Sequence, residues 1–97
     1  MSLIFEWHKA KAKKNLEKHG ISFEEASTVF KDHYSLTISD PIHSIDEERL
    51  VIIGYSSMQR LLVIAHTERG DNIRIINARL ATKKERKIYE EKESEER

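Results

Sequence analysis

The chain has no cysteine, one proline and three glycines among its 97 residues. Without cysteine there are no disulfides and no thiolate metal sites, a composition suited to a reducing compartment. Gly20, Gly54 and Gly70 stand alone, so no glycine-rich loop cradles a nucleotide phosphate. No apolar run reaches the length of a membrane span, and residues 1–12 lack a signal-peptide pattern. The expectation is a cytoplasmic protein with no membrane contact. Neither Ser44 nor Ser56 has a nucleophile-elbow setting. The histidines at 8, 19, 33, 43 and 66 are scattered, with no helical pair at ligand spacing, so neither metal nor cofactor is expected. His43, beside Asp46, Glu47 and Glu48, reads as part of a solvated acidic loop.

Net charge is absent as well, because 17 Lys and Arg balance 17 Asp and Glu. That total argues weakly against a nucleic-acid binder. The charges are nonetheless segregated: +3 over residues 1–20, −5 over 21–50, +2 over 51–82 and zero over 83–97. Two basic blocks can therefore share one face while an acidic loop occupies another.

The chain centres on residues 60–79, where apolar runs at 61–65 and 73–78 flank a polar segment at 67–72. This predicts a β-hairpin reversing at Gly70. Ahead of it lie a short strand at 2–7, a helix at 8–19 stopped by Gly20, and a second helix at 23–30. Ser22 and Glu25 open that second helix as a capping box. On the first helix Ala12, Leu16 and His19 share a narrow stripe, bordered by Lys11, Asn15 and Lys18. Strands at 34–39 and 49–56 enclose an exposed loop at 40–48. Thr82 and Glu85 form a second capping box, opening a last helix to about residue 92. The glutamates at 93–97 oppose the helix dipole, so that tail should fray. The expected chain is one α+β domain over residues 1–92, in the order β-α-α-β-β-β-β-α. Its sheet is antiparallel-rich, with the two N-terminal helices on one face and the other face open to a ligand.

The cationic side chains carry the remaining signal. Arginine's planar fork grips phosphate and never loses its charge. Metal-free RNA cleavage needs a base for the 2′-hydroxyl, an acid for the leaving oxygen, and cations against the phosphate. Lys18, His19, Arg79 and Arg86 are the catalytic candidates; Arg60, Arg74 and Lys83 are candidates for RNA binding. Histidine is the residue type that changes charge near neutral pH, which makes His19 a proton-transfer candidate, but in the last turn of a helix it can equally cap carbonyls. Arg79 lies where the last strand meets a helix start, a place that favours anions, though Glu85 or an acid at 46–48 could take it instead. Strand alternation puts Arg74 and Arg79 on opposite faces unless a twist or bulge intervenes near Asn77.

The residues Phe5, Trp7, Lys11, Asn15, Lys18-His19-Gly20 and Ser22-Phe23-Glu24-Glu25-Ala26 form an ordered series. It runs on through Val29-Phe30, the Asp46, Glu48 and Arg49 run, Ile53-Gly54, Ser56 and Arg60-Leu61-Leu62. It closes with Ile73-Arg74-Ile75-Ile76, Ala78-Arg79, Ala81-Thr82, Glu85-Arg86 and Tyr89. In this it resembles the BrnT family of bacterial toxins over most of residues 5–89. The resemblance implies a RelE-like fold, and a ribonuclease that cleaves RNA and arrests translation. It also implies a cognate BrnA-like antitoxin in a dimer or heterotetramer, with DNA reached only through that antitoxin. The chain departs from the family pattern at His8 (usually Asp), Gln59 (usually Gly) and Asn77 (usually Ser).

Overall fold

A computed structural model describes residues 3–45 and 47–96. Ser2, the expected start of the first strand, and Asp46 of the acidic loop lie outside the described residues. The chain is α+β, with β1 (Ile4–Glu6), α1 (Lys9–His19), α2 (Phe23–Thr28), β2 (Leu36–Ser39), β3 (Leu50–Tyr55), β4 (Leu61–Arg69), β5 (Asn72–Leu80) and α3 (Lys83–Glu96). The sheet order is β1-β5-β4-β3-β2, antiparallel except for β1, which runs parallel to β5 at the edge. The central hairpin is longer than its apolar runs because pairing continues to Arg69 opposite Asn72. Gly70 reverses it with a φ of 62°.

Each face of the sheet has its own core. On one, Phe23, Ala26 and Val29 of the α2 region pack with Ile21 against Ile52, Leu62, Ile64, Ile73, Ile75 and Ala78. On the other, Tyr89 of α3 packs against Ile53, Leu61 and Val63. The helices thus take both faces, with α3 covering one end of the second. Asp32 ties this layer down, accepting hydrogen bonds from Tyr89 Oη at 2.7 Å and from the Tyr55 backbone N–H at 2.8 Å. Burial, with that bond, pushes the Tyr89 phenol well above its usual range. Contrary to the expected end near residue 92, α3 runs to Glu96, with Lys92 bridging Glu96 at 3.0 Å and donating to Ser35 O.

The expected stripe on α1 is displaced. Leu16 is 50% exposed, and the buried residue of the helix is Asn15. β1 pairs only with residues 72–74 of β5, leaving the rest of that strand without a neighbour on this side. α1 lies beside it there, and the Asn15 amide takes the place of a strand. It accepts from Ala78 N at 3.0 Å and donates to Ala78 O at 2.9 Å and Ile21 O at 3.0 Å. A leucine could not satisfy those backbone groups, which explains why the polar border turned inward.

Gln59, in the turn between β3 and β4, has a φ of 63°, left-handed backbone that glycine adopts without strain. Gln59→Gly should therefore raise stability, by up to about 1 kcal/mol after the added chain entropy is subtracted. A higher urea midpoint at unchanged slope would register it.

Candidate active site

Parity along β5 decides what the hairpin presents. Ala65 faces Asn77 while His66 faces Ile75, so Ile76 is skipped and the strand carries a bulge. Ile73 and Ile75 before it, and Ala78 after it, all enter the first core. Arg74, opposite Thr67, and Arg79, opposite Val63, consequently share the other face. The bulge supplies the condition that simple alternation lacked.

Beside Arg79 lies a cleft of about 440 Å³ between α1 and β5. Its walls are Lys11, Lys14, Asn15, Lys18 and His19 from the helix, and Ile76, Asn77 and Arg79 from the strand. Spacings of three and four residues put these lysines on one side of α1. Lys18, His19 and Arg79 are thereby brought together from distant parts of the chain. Neither Lys18 nor His19 makes an ion pair or a side-chain hydrogen bond among the described residues, and the Gly20 backbone N–H caps α1 by bonding Leu16 O at 2.8 Å. His19 is not needed as a cap.

Arg79 meets Glu85 end-on, Nη1 to Oε1 at 2.7 Å and Nη2 to Oε2 at 2.8 Å. Glu85 is also the capping-box partner of Thr82, accepting from its N–H at 2.9 Å. The arginine's bonds hold the Glu85 carboxyl at about 2, against an ordinary 4.5. Its folded value is the depressed one, so the pair's stabilisation is full above pH 4.5 and fades as pH falls towards 2. With Arg79 two-fifths exposed, screening leaves roughly 1–2 kcal/mol. Unfolding free energies of wild type and Glu85→Gln, measured across that window, should converge on acidification.

Arg79 also gives Nη1 to Leu80 O at 3.3 Å. Guanidinium has five N–H donors, so its Nε–H and the adjacent Nη2–H remain unused among the described residues. That second edge is a complete fork. Glu85 orients the arginine without exhausting it.

The other expected site residues are distributed differently. Arg86 donates to Tyr55 Oη at 2.9 Å and lies outside the cleft wall. Lys83 is exposed at the first residue of α3. Arg74 lies 3.7 Å from Glu6 and faces a neighbouring pocket. Arg60 is engaged inside the fold: it forks onto the buried Glu25, with Nε at 2.9 Å, and gives Nη2 to Gly20 O at 3.1 Å. Ser56 Oγ adds a third donor to Glu25 at 2.7 Å, and these bonds, Arg60's first, hold its carboxyl below the usual range. Arg60 therefore joins the α1–α2 corner to the β3–β4 turn. That leaves its Nη1, without a bond among the described residues, as the donor for the expected backbone contact to RNA. Sequence reasoning passed over Lys14 and used Lys11 and Asn15 only as a border; the signal was the recurrence of polar residues at 11, 14, 15 and 18.

A sequence model of the family described as "Ribonuclease toxin, BrnT, of type II toxin-antitoxin system" matches residues 7–85. No curated protein matches the sequence. Among solved structures, the chain is similar to the 1.1 Å crystal structure of the Brucella abortus ribonuclease toxin, BrnT. The TM-score is 0.63 at 20% identity, over 86% of this chain and 99% of that one. At that identity the likeness concerns the fold.

Proposed function

We propose, for a chain that belongs to the BrnT family of ribonuclease toxins of type II toxin–antitoxin systems, that it is an endoribonuclease acting in the α1–β5 cleft. It arrests translation and growth until a cognate antitoxin neutralises it. The observation that carries this reading is the shared cleft of Lys18, His19 and Arg79, the first two unpaired among the described residues and the third with an Nε/Nη2 fork unused among them.

The fork takes two oxygens of the scissile phosphate, and the α1 lysines add positive potential along the strand. His19 and Lys18 serve the proton transfers. One group removes the 2′-hydroxyl proton as O2′ bonds to phosphorus; another protonates O5′ as the P–O5′ bond breaks. The products are a 2′,3′-cyclic phosphate and a 5′-hydroxyl, with Arg79 stabilising the charge that builds on the phosphoryl oxygens between them. Arg86, turned to Tyr55, and exposed Lys83 lie outside the cleft wall and take no part in these steps.

The test is incubation of the purified protein with RNA and with the same RNA carrying 2′-deoxyribose at the cleavage position. Cleavage of the first alone, leaving cyclic-phosphate ends, is expected; cutting of both would overturn the 2′-hydroxyl route. The Arg79–Glu85 pair also favours a second reading, in which Arg79 is structural and the cationic cleft only grips RNA. Uncut RNA with salt-sensitive binding would select it.

A further inference from the structure

Beyond the cleft, the same sheet face holds a second pocket of about 260 Å³ that shares Lys11 and Ile76 with it. Arg49, Arg69 and Arg74 line this pocket together with Lys11. The fold brings them there from α1, from β4 and β5, and from the residue before β3. Arg74 stands opposite Thr67 in the β4–β5 register. Arg49 immediately precedes β3, whose Leu50 faces His66, so it falls beside Thr67 from the other side. The Arg49 backbone is fixed as well, its N–H donating to Ser44 Oγ at 2.8 Å and its carbonyl accepting from Asp40 N at 2.9 Å.

In the pocket wall is an anomaly. Thr67 is 5% exposed, yet its hydroxyl has no hydrogen-bond partner among the described residues. The Glu47 carboxylate, forked by Arg69 at 2.7 and 3.1 Å, lies close enough for the Thr67 hydroxyl to help hold it below its usual range, but not in the geometry of a formed hydrogen bond. An unpartnered buried hydroxyl is unfavourable by about 1–3 kcal/mol, a penalty that a ligand oxygen would relieve. Among the described residues Arg49 and Lys11 have no carboxylate partner, and Arg74 has the 3.7 Å approach of Glu6 and the more distant charge of Glu47, itself forked by Arg69.

We infer that this pocket is a second phosphate subsite, which holds a neighbouring phosphodiester of the RNA strand whose scissile group lies at Arg79. The inference rests on the ribonuclease reading. Arg49 and Arg74 supply charge, and Thr67 gives its hydroxyl hydrogen to a phosphate oxygen. Lys11 and Ile76 carry the strand from one pocket into the other.

Binding of an uncleavable 2′-O-methyl octaribonucleotide over a salt series tests it, using wild type, Arg49→Gln and Thr67→Val. Arg49→Gln should weaken binding ~3–10-fold at low salt and reduce the logarithmic salt slope by ~0.7, one phosphate contact on a single strand. Thr67→Val keeps the shape and removes the orphan hydroxyl, so a roughly threefold loss of affinity should come without a lower unfolding temperature. Wild-type affinity and slope in both variants would overturn the subsite and leave the ribonuclease reading intact. A weaker Arg49→Gln with an unchanged slope would overturn it too, since no phosphate contact was lost. If wild type itself binds no RNA, the ribonuclease reading fails and the subsite with it.

Discussion

Asn15→Ala should unfold at a much lower urea concentration than wild type, with a loss of about 2–4 kcal/mol at unchanged slope. The amide serves three buried backbone groups, the N–H and C=O of Ala78 and the C=O of Ile21. Truncation leaves all three without their side-chain partner at a position only 6% exposed, where water from the adjoining cleft replaces the lost bonds incompletely. Asn15→Asp is no remedy at neutral pH, because a carboxylate could accept from Ala78 N but would face two carbonyls. It should lose at least as much as alanine. The consequence reaches the cleft, since Asn15 holds the row of Lys11, Lys14 and Lys18 against the strand that carries Arg79. RNA cleavage by Asn15→Ala should fall even at temperatures where it remains folded. A stability change under 1 kcal/mol would mean that α1 is held to β5 mainly by apolar contact, contrary to the geometry.

The same asparagine shows where sequence reading stops. Apolar periodicity finds a helix at 8–19 and its glycine cap, because both depend on nearest neighbours. It cannot tell that the helix lies along a sheet edge, where the buried face must offer hydrogen bonds instead of methyl groups. Leu16, the natural core residue on a wheel, is half exposed for that reason. The two capping boxes were equally legible at their hydroxyl ends, with Ser22 Oγ bonded to Glu25 N at 3.0 Å and Thr82 Oγ1 to Glu85 N at 3.2 Å. Of the two glutamates, Glu85 was legible as well and Glu25 was not. Glu85 completes its box and reaches Arg79 as well, whereas Glu25 turns to Arg60 and Ser56, residues more than thirty positions away. That difference is set by tertiary neighbours, and it also separates Arg79, which keeps a free fork, from Arg60, which keeps none in the cleft. The face shared by Arg74 and Arg79 depended on one skipped residue, Ile76. A bulge of that kind leaves little trace in an apolar run.

Arg79→Ala should reduce RNA cleavage by ~10²–10³-fold, the loss typical of removing a donor aimed at developing charge. Two effects combine in it. The phosphate loses its fork, and the Glu85 carboxylate, now unpaired, remains beside the cleft as a charge of the wrong sign. Adding Glu85→Gln to Arg79→Ala removes that charge while glutamine still accepts from Thr82 N. The double variant should therefore regain much of the RNA affinity lost by Arg79→Ala, but little of the rate, because repulsion is relieved and transition-state stabilisation is not. Arg79→Lys should resemble alanine more than arginine in rate, since an ammonium cannot hold Glu85 end-on and a phosphate side-on at once. In growing bacteria, Arg79→Ala should relieve growth arrest while the protein still accumulates in folded form. Arrest that persists with folded Arg79→Ala, or a cleavage rate within threefold of wild type, would remove the arginine from the reaction. It would then belong with Arg60, as a cation whose work is to hold two segments of chain together.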